Sequence, residues 1–162
     1  MGKSFKNTAA LFKYIQKQIN ETLEDDVAKE VKQVEHDAVE KVVYDSYTPN
    51  VYDRRRDDGG LSDINNMKNN KVAEGVLIIS NETKAHPTKT NASGKVYKSK
   101  NKGKKLTPII VEGGADNYDF PRNRAYIESR DFIQETKDML EQDGKHWTAL
   151  KIGLLKRGIK ID

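Results

Sequence analysis

The chain has 162 residues, a length typical of one domain, and it contains no cysteine. Disulfides, thiolate nucleophiles and thiolate metal ligands are therefore excluded. Hydrophobic residues make up 35% and charged residues 33%, so we expect part of the chain to lie outside any core. No apolar run approaches the roughly 20 residues of a membrane-spanning helix, and the first residues lack the apolar stretch of a signal peptide. These features favour one polar domain, residues 1–162, made inside a cell.

The formal net charge of +4 hides an uneven distribution of charge along the chain. Residues 1–17 hold four lysines and no acid, whereas residues 21–45 hold nine acids and three lysines. Residues 84–105, called the basic segment below, hold eight lysines and no acid. Because charge patterning is more informative here than net charge, the basic segment is the main candidate for contact with a polyanion.

Residues 8–45 are predicted to form one long helix, with Thr8 as its N-cap. No glycine or proline interrupts the segment, and its apolar residues recur at steps of three or four. The narrow stripe leaves the other faces charged, so we expect packing on the protein's own sheet and on a neighbouring subunit. The alternative is a monomer with two shorter helices broken near residues 20–26. The stripe consists of Phe12, Ile15, Ile19, Leu23, Val27, Val31, Val34, Ala38 and Val42.

Residues 46–71 are predicted to form a polar loop after the long helix. Pro49 ends the helical region, because the residue before a proline is pushed towards extended geometry. The loop is rich in Asn, Asp, Arg and Gly, and Gly59-Gly60 is a turn signal.

A hairpin is predicted over residues 72–112. Its first strand, residues 72–80, is rich in β-branched residues, and its second strand is residues 106–112. Pro108 places the second strand at an edge or at a bulge. The basic segment would be the long loop of this hairpin, too polar to order itself.

Two helices are predicted within residues 126–157. Asp131 caps the first helix, which ends at Gly144 because glycine is a natural C-cap. The second helix follows directly and is closed by Gly158. Residues 159–161 have the composition of a short terminal strand.

The sequence shows no set of residues able to run a reaction. His36, His86 and His146 are not at metal-ligand spacing, and no cysteine supports them. Carboxylates are plentiful on charged faces and in turns, but no calcium-loop, phosphate-loop or nucleophile-elbow motif occurs. We therefore expect no catalytic residue, no metal site and no cofactor.

The basic segment is the most informative functional feature. Lysine is a flexible point charge, and Tyr97 is the segment's one aromatic residue, so phosphate contact is favoured over base stacking. Such contact would be independent of nucleic-acid sequence. The alternative is a solvated loop that aids solubility. The candidate contacts with DNA or a partner are Lys84, Lys89, Lys95, Lys98, Lys100, Lys102, Lys104 and Lys105.

The order of elements and motifs supports a family resemblance. The long helix leads to Pro49, to a turn with the sequence GGLSDI at residues 59–64, and to a predicted strand. A variable loop and a strand ending in VEGG at residues 111–114 follow, and RDFI at residues 130–133 begins the next helix. Over most of residues 8–157, this order resembles the neck or tail-completion (head–tail joining) proteins of long-tailed bacteriophages.

The resemblance implies an α+β fold, in which the long N-terminal helix and the C-terminal helices pack on a small twisted antiparallel sheet with a long Lys-rich hairpin loop. It also implies a non-enzymatic virion protein that forms a homo-oligomeric ring between portal or adaptor and tail proteins, with no membrane contact. The ring would be assembled in the host cytoplasm, and the basic segment would face double-stranded DNA or a neighbouring ring. Candidate subunit-interface residues are Phe12, Ile15, Ile19, Arg54, Arg55, Arg56, Arg122, Arg124 and Arg130.

Two other functions are also consistent with the sequence. A cytoplasmic, non-specific nucleic-acid-binding module would show salt-sensitive binding by the isolated monomer. A small metal-dependent nuclease or toxin would use scattered acids with His36 or His86.

Overall fold

The protein has an α+β fold, which confirms the predicted class. The structure, a computed structural model, describes residues 4–46, 55–90, 93, 95–99, 101–113 and 129–161. The helices are α1 (Thr8–Thr22), α2 (Ala28–Val39), α3 (Leu106–Glu112), α4 (Phe132–Asp143) and α5 (Lys145–Lys156). The strands are β1 (Met67–Ala73), β2 (Val76–Asn81), β3 (Thr88–Thr90) and β4 (Val96–Lys98).

Helices α1 and α2 belong to one continuous helix over residues 8–44, called the long helix below. Two π-helical turns, Leu23–Val27 and Glu40–Tyr44, continue it without a break. The predicted single helix is therefore confirmed, and the alternative with a break near residues 20–26 is wrong.

The buried face of the long helix after its first π-helical turn overlaps the predicted apolar stripe only in part. A π-helical turn holds more residues than an α-helical turn, so it shifts the register of everything that follows. Val34 and Ala38 of the predicted stripe are buried, but Val27 and Val31 are only half-buried. Ala28, Val39 and Val43, each one residue after a stripe position, are buried as well. A stripe drawn with the α-helical period therefore identified only part of the buried face.

Side-chain caps begin both the long helix and α4. The Asn7 side-chain oxygen accepts a hydrogen bond from the Ala10 amide at 2.8 Å, so Asn7 is the N-cap and the prediction of Thr8 was wrong by one residue. Asp131 caps α4 as predicted, and its carboxylate accepts from the Gln134 amide at 2.9 Å. Both caps satisfy amides that the first helical turn leaves without a backbone partner.

Strands β1 and β2 form a tight antiparallel hairpin, with Met67 opposite Asn81. The turn lies at Glu74-Gly75, where Gly75 has a φ of 74° that favours glycine. The predicted strand over residues 72–80 therefore contains a turn, and β1 occupies part of the predicted loop. Its sequence, MKNNKVA, is too polar to read as a strand by composition.

Residues 106–112 form helix α3, so the predicted second strand is wrong. Pro108 is the third helical residue, where its missing N–H costs no intrahelical hydrogen bond. Leu106 and Ile110, four residues apart, both pack against the core. Gly113 ends the helix with a φ of 64°.

The basic segment forms a second small hairpin, whereas we predicted a loop without regular structure. Strand β3 pairs with β4, and Lys84 pairs with Lys105 at the root of the segment. Between them, the Ala85 amide donates to the Lys104 carbonyl at 2.8 Å. Backbone pairing thus supplies the order that apolar burial does not.

The core lies where the C-terminal end of the long helix meets α3, α4 and residues 56–62, called the turn before β1 below. Its centre is formed by the buried residues Val39, Val43, Leu61 and Phe132. Half-buried side chains close it on the outside, namely Val42, Tyr44, Leu106, Ile110, Val111 and Ile133.

Helix α5 follows α4 through Gly144, whose left-handed φ of 60° matches the predicted C-cap. Gly158, with a φ of 82°, follows the end of α5. Residues 159–161 form no strand, so that prediction is wrong. None of the helices in the described ranges is long and apolar enough to cross a membrane.

Candidate functional site

A buried polar network anchors the root of the basic segment to the body of the protein. The Thr83 hydroxyl lies 3.0 Å from the Gly60 carbonyl and 2.6 Å from the Asn81 side-chain oxygen. The Asn81 amide donates to the Leu61 carbonyl at 2.8 Å and to the Glu35 carboxylate at 3.0 Å. Because buried polar groups are costly when unpaired, this network fixes the position of the segment's root.

Glu35 is the buried carboxyl of this network and comes from the long helix. Burial raises its pKa above the ordinary value, while the Asn81 hydrogen bond and the charge of Lys32 act in the opposite direction. The helical pattern did not mark Glu35 as a core residue, because it lies beside the predicted apolar stripe.

The GGLSDI turn, residues 59–64, packs beneath this network. A Cβ on Gly60 would lie 2.2 Å from the Arg56 carbonyl, so only glycine fits there. The Asp63 carboxylate accepts from the amides of Gly59 and Asn65, each at 2.9 Å. Although burial opposes ionisation, these amides hold the Asp63 pKa below its ordinary value. The motif thus serves to shape a turn.

The lysines of the basic segment whose side chains the structure describes lie at the surface. Lys105 makes an ion pair with Glu82 at 2.7 Å, and this hydrogen bond lowers the pKa of Glu82. Lys100 and the side chain of Lys89 lie outside the described residues. The side chains seen to be exposed are Lys84, Lys95, Lys98, Lys102, Lys104 and Lys105.

The predicted interface arginines that the structure describes all make contacts within the chain. Arg55 donates to the Lys84 carbonyl at 2.9 Å, so it also holds the root of the basic segment. Arg56 pairs with Glu40 and lies over the Tyr44 ring. The interface role of these residues stays a prediction.

The third of these arginines, Arg130, donates to the Val43 carbonyl at 3.3 Å. Arg54, Arg122 and Arg124 lie outside the described residues. The predicted role of Arg122, Arg124 and Arg130 at a subunit interface also stays a prediction.

Sequence reasoning missed an ion-pair cluster at the other end of the long helix. The Arg157 guanidinium lies 2.5 Å from an oxygen of Asp26 and 2.8 Å from one of Asp25. Lys156 also reaches Asp26, at 3.1 Å. Burial works against the charged form, but the hydrogen bonds from Arg157 and Lys156 lower the Asp26 pKa. The only sequence signal was a basic pair at the end of α5.

Several large apolar side chains remain exposed. Phe12 on the long helix is 64% exposed, whereas the other predicted interface residues of its stripe, Ile15 and Ile19, are half-buried. Trp147 on α5 is 61% exposed. Further exposed residues lie on the β1–β2 hairpin and along α5, namely Val72, Val76, Ile78, Ile152 and Leu155.

An open cleft of about 400 Å³ lies between the β1–β2 hairpin, the long helix and α4. Val27, Val31, Leu77 and Ile79 contribute its apolar walls, and Glu35 lines it as well. Val27 and Val31, the half-buried valines of the predicted stripe, thus face this cleft.

Three carboxylates surround His36 where the turn before β1 meets the long helix. Its Nδ1 lies 3.0 Å from Asp37, and its Nε2 lies 3.1 Å from Asp57. Glu40 lies one helical turn further along the same face. Burial lowers the His36 pKa, but the two aspartates outweigh it and raise the pKa above its ordinary value. His86 lies in the basic segment and His146 on α5, so the fold does not bring the three histidines together.

Comparison with known proteins gives one family. No curated protein matches the chain, and no solved structure matches it. The YomN family matches residues 7–156, which is nearly the whole chain. This match indicates a phage-related origin. The chain belongs to the YomN family.

Proposed function

We propose that the chain is a structural virion protein of a tailed phage, forming a ring at the head–tail junction. In this position, it joins the connector to the tail and lines or seals the DNA channel. The observation that carries the proposal is the acid-free basic segment, held out from the body by a buried network at its root. The phage-related family gives independent support for the setting.

The anchoring of the basic segment suits a fixed contact with DNA. The network of Asn81 and Thr83, together with Arg55, ties the root to the core from two sides. Exposed lysines then project from a segment that itself contains no carboxylate, although Lys105 at its root pairs with Glu82. A ring of such segments would place many positive charges around a channel and attract phosphates without reading sequence.

The exposed apolar side chains suit contacts between subunits. Phe12 and Trp147 each leave most of their surface in water in the single chain. Burial of aromatic surface is a large part of the energy of most interfaces. We therefore place the subunit contacts on the N-terminal part of the long helix and on the outer face of α5.

The direct test is microscopy of virions from a phage that encodes the chain. We expect cryo-electron microscopy to show a ring of this protein at the neck. A deletion of the gene should leave DNA-filled heads and separate tails. Virions that lack the protein by mass spectrometry, or complete necks in the deletion, would contradict the proposal.

A charge variant tests the DNA contact within assembled particles. Replacing Lys84, Lys98, Lys102 and Lys104 by glutamine should leave the ring intact but reduce DNA retention, because phosphate contacts are lost. Replacement of four lysines elsewhere on the surface serves as the matched control and should have no such effect. The control positions are Lys29, Lys71, Lys137 and Lys160, which are exposed and lie outside the proposed subunit contacts.

Binding by the isolated chain separates this proposal from the nucleic-acid-binding alternative. We expect weak affinity of the monomer for double-stranded DNA at physiological salt, because one chain offers few phosphate contacts. Tight, steeply salt-dependent binding by the monomer would instead favour a nucleic-acid-binding module.

A further inference from the structure

We propose that His36, Glu40 and Asp57 form a binding site for a divalent transition metal of the zinc class. One ligand atom from each residue lies within 4.8 Å of the others. The proposal concerns metal binding only. It can therefore be tested independently of whether the protein has a position in a virion.

The spacing of the ligand atoms suits a tetrahedral ion after a small contraction. Zinc bonds of about 2.0–2.2 Å to nitrogen and oxygen place neighbouring ligand atoms about 3.3 Å apart. The Nε2 atom of His36 and the carboxylate of Asp57 are 3.1 Å apart, so this pair is already close to that spacing. The ligand oxygen of Glu40 lies within 4.8 Å of both atoms and would have to move inward to reach the same spacing.

Glu40 supplies the second, independent observation. Its Oε1 atom is buried and has no hydrogen-bond partner among the described residues. The other oxygen, Oε2, is paired with Arg56, so Oε1 is the oxygen available to an ion. A buried carboxylate oxygen without a partner is costly, and a metal ion would satisfy it.

Asp37 orients the histidine for this role. Its carboxylate holds Nδ1 of His36 at 3.0 Å, which directs Nε2 towards Asp57. Metal-binding histidines commonly donate their second ring N–H to a carboxylate in this way. The ion would replace the proton that otherwise joins Nε2 to Asp57.

The site would clamp the turn before β1 to the long helix. His36 and Glu40 come from the helix, whereas Asp57 is 21 residues away from His36 in the turn. The neighbouring Arg55 holds the root of the basic segment through the Lys84 carbonyl. Sequence spacing did not reveal the group, because its third ligand arrives only through the fold.

The test is titration of the full-length, chelator-stripped protein with Zn²⁺ in a calorimeter, and with Co²⁺ by visible absorption. We expect one ion per chain, with Co²⁺ bands typical of a tetrahedral site. His36→Gln should weaken binding by about 100-fold or more, and Asp37→Asn by about 10–100-fold, as seen for outer-shell partners. His86→Gln and His146→Gln are the matched controls and should leave the affinity unchanged.

Several outcomes would overturn the proposal. These are absence of binding to the wild-type chain, an affinity unchanged by His36→Gln, or binding lost in a control variant. Circular dichroism of each variant checks that its fold is intact, and Asp57→Asn offers a second route if His36→Gln does not fold. Three protein ligands leave a fourth position for water, so Zn²⁺-dependent cleavage of DNA is measured in the same samples. Cleavage that requires His36 would support the site and contradict a purely structural function.

Discussion

The two halves of the long helix are held in different ways, although the helix itself is continuous. The C-terminal half lies against Phe132 and Leu61 in an apolar core from which water is excluded. The N-terminal half meets α5 through Thr22, the close approach of Gly153, and the ion pairs of Arg157. The apolar contact is stabilised because it removes apolar surface from water. The contact with α5 depends on charges whose attraction water partly screens.

This difference indicates which half of the long helix has its apolar surface covered within the single chain. The C-terminal half needs nothing further, since Val39 and Val43 are already buried. The N-terminal half leaves Phe12 in water, as a subunit contact would require before assembly. Substitutions can therefore rank the two halves by their effect on the stability of the single chain.

The largest effect is expected at Phe132. Phe132→Ala should lower the free energy of unfolding by about 3–5 kcal/mol, because it removes a fully buried ring and leaves a cavity. Phe12→Ala, the matched change in the N-terminal half, should alter it by less than about 0.5 kcal/mol. Urea denaturation at low protein concentration measures both. Equal losses would show that Phe12 is buried in solution.

A smaller effect is expected at the contact between α5 and the long helix. A Cβ on Gly153 would lie 2.5 Å from Thr22 Cγ2 and 2.8 Å from an oxygen of Asp26. Gly153→Ala should therefore cost about 1–3 kcal/mol through overpacking, despite the better helix propensity of alanine. Thr148→Ala, on the exposed face of α5, is the control. A stabilised Gly153→Ala protein would mean that α5 packs less closely than described.

The ion pairs of Asp26 should contribute about 1 kcal/mol at neutral pH, lost in Asp26→Asn. Because the folded-state pKa of Asp26 is lowered, this contribution is present above its ordinary value of 3.8 and disappears as pH falls through the lowered value. Stability of wild type and variant should therefore converge in strong acid. Asp143→Asn, which removes an exposed pair with Lys145, should show a smaller difference. A gap between wild type and Asp26→Asn that does not change with pH would contradict this assignment.

The smallest effect, and the opposite pH dependence, is expected at Glu35. Its folded-state pKa is raised, so its contribution to stability is complete below the ordinary value of 4.5 and is lost as pH rises through the raised value. Glu35→Gln should therefore gain stability relative to wild type between acid and neutral pH. Thermal melts across this range measure the trend, with Glu24→Gln, on an exposed residue, as the control. If the stability of wild type instead increased relative to that of Glu35→Gln as pH rises, this would contradict burial of the Glu35 carboxyl.

The regions that sequence reasoning described well carry their own local signals. The start and end of α4 follow from Asp131 and Gly144, because capping and left-handed φ are properties of single residues. The long helix follows from periodicity without a breaking residue. Its exact core face did not follow, because the π-helical turn at Leu23–Val27 has no local marker.

The regions that it described poorly depend on partners distant in sequence. The segment LTPIIVE is short and apolar, so a strand and a helix were equally consistent with its pattern, and packing against the core selected the helix. Strand β1 is polar and exists through its pairing with β2. The groups around His36 and Arg157 likewise join residues from separate elements.

The sequence by itself determined the long helix, the capped C-terminal helices and the charge of the basic segment, whereas the α+β class was implied by the family resemblance. These features depend on residue type and on spacing within one turn or one strand. Only the tertiary structure decided that the basic segment is a rooted hairpin, that Glu35 is buried, and that His36 meets Asp57. Each of those results requires the chain to bring together residues many positions apart, and the free energy that does so comes from burial and pairing across the whole fold.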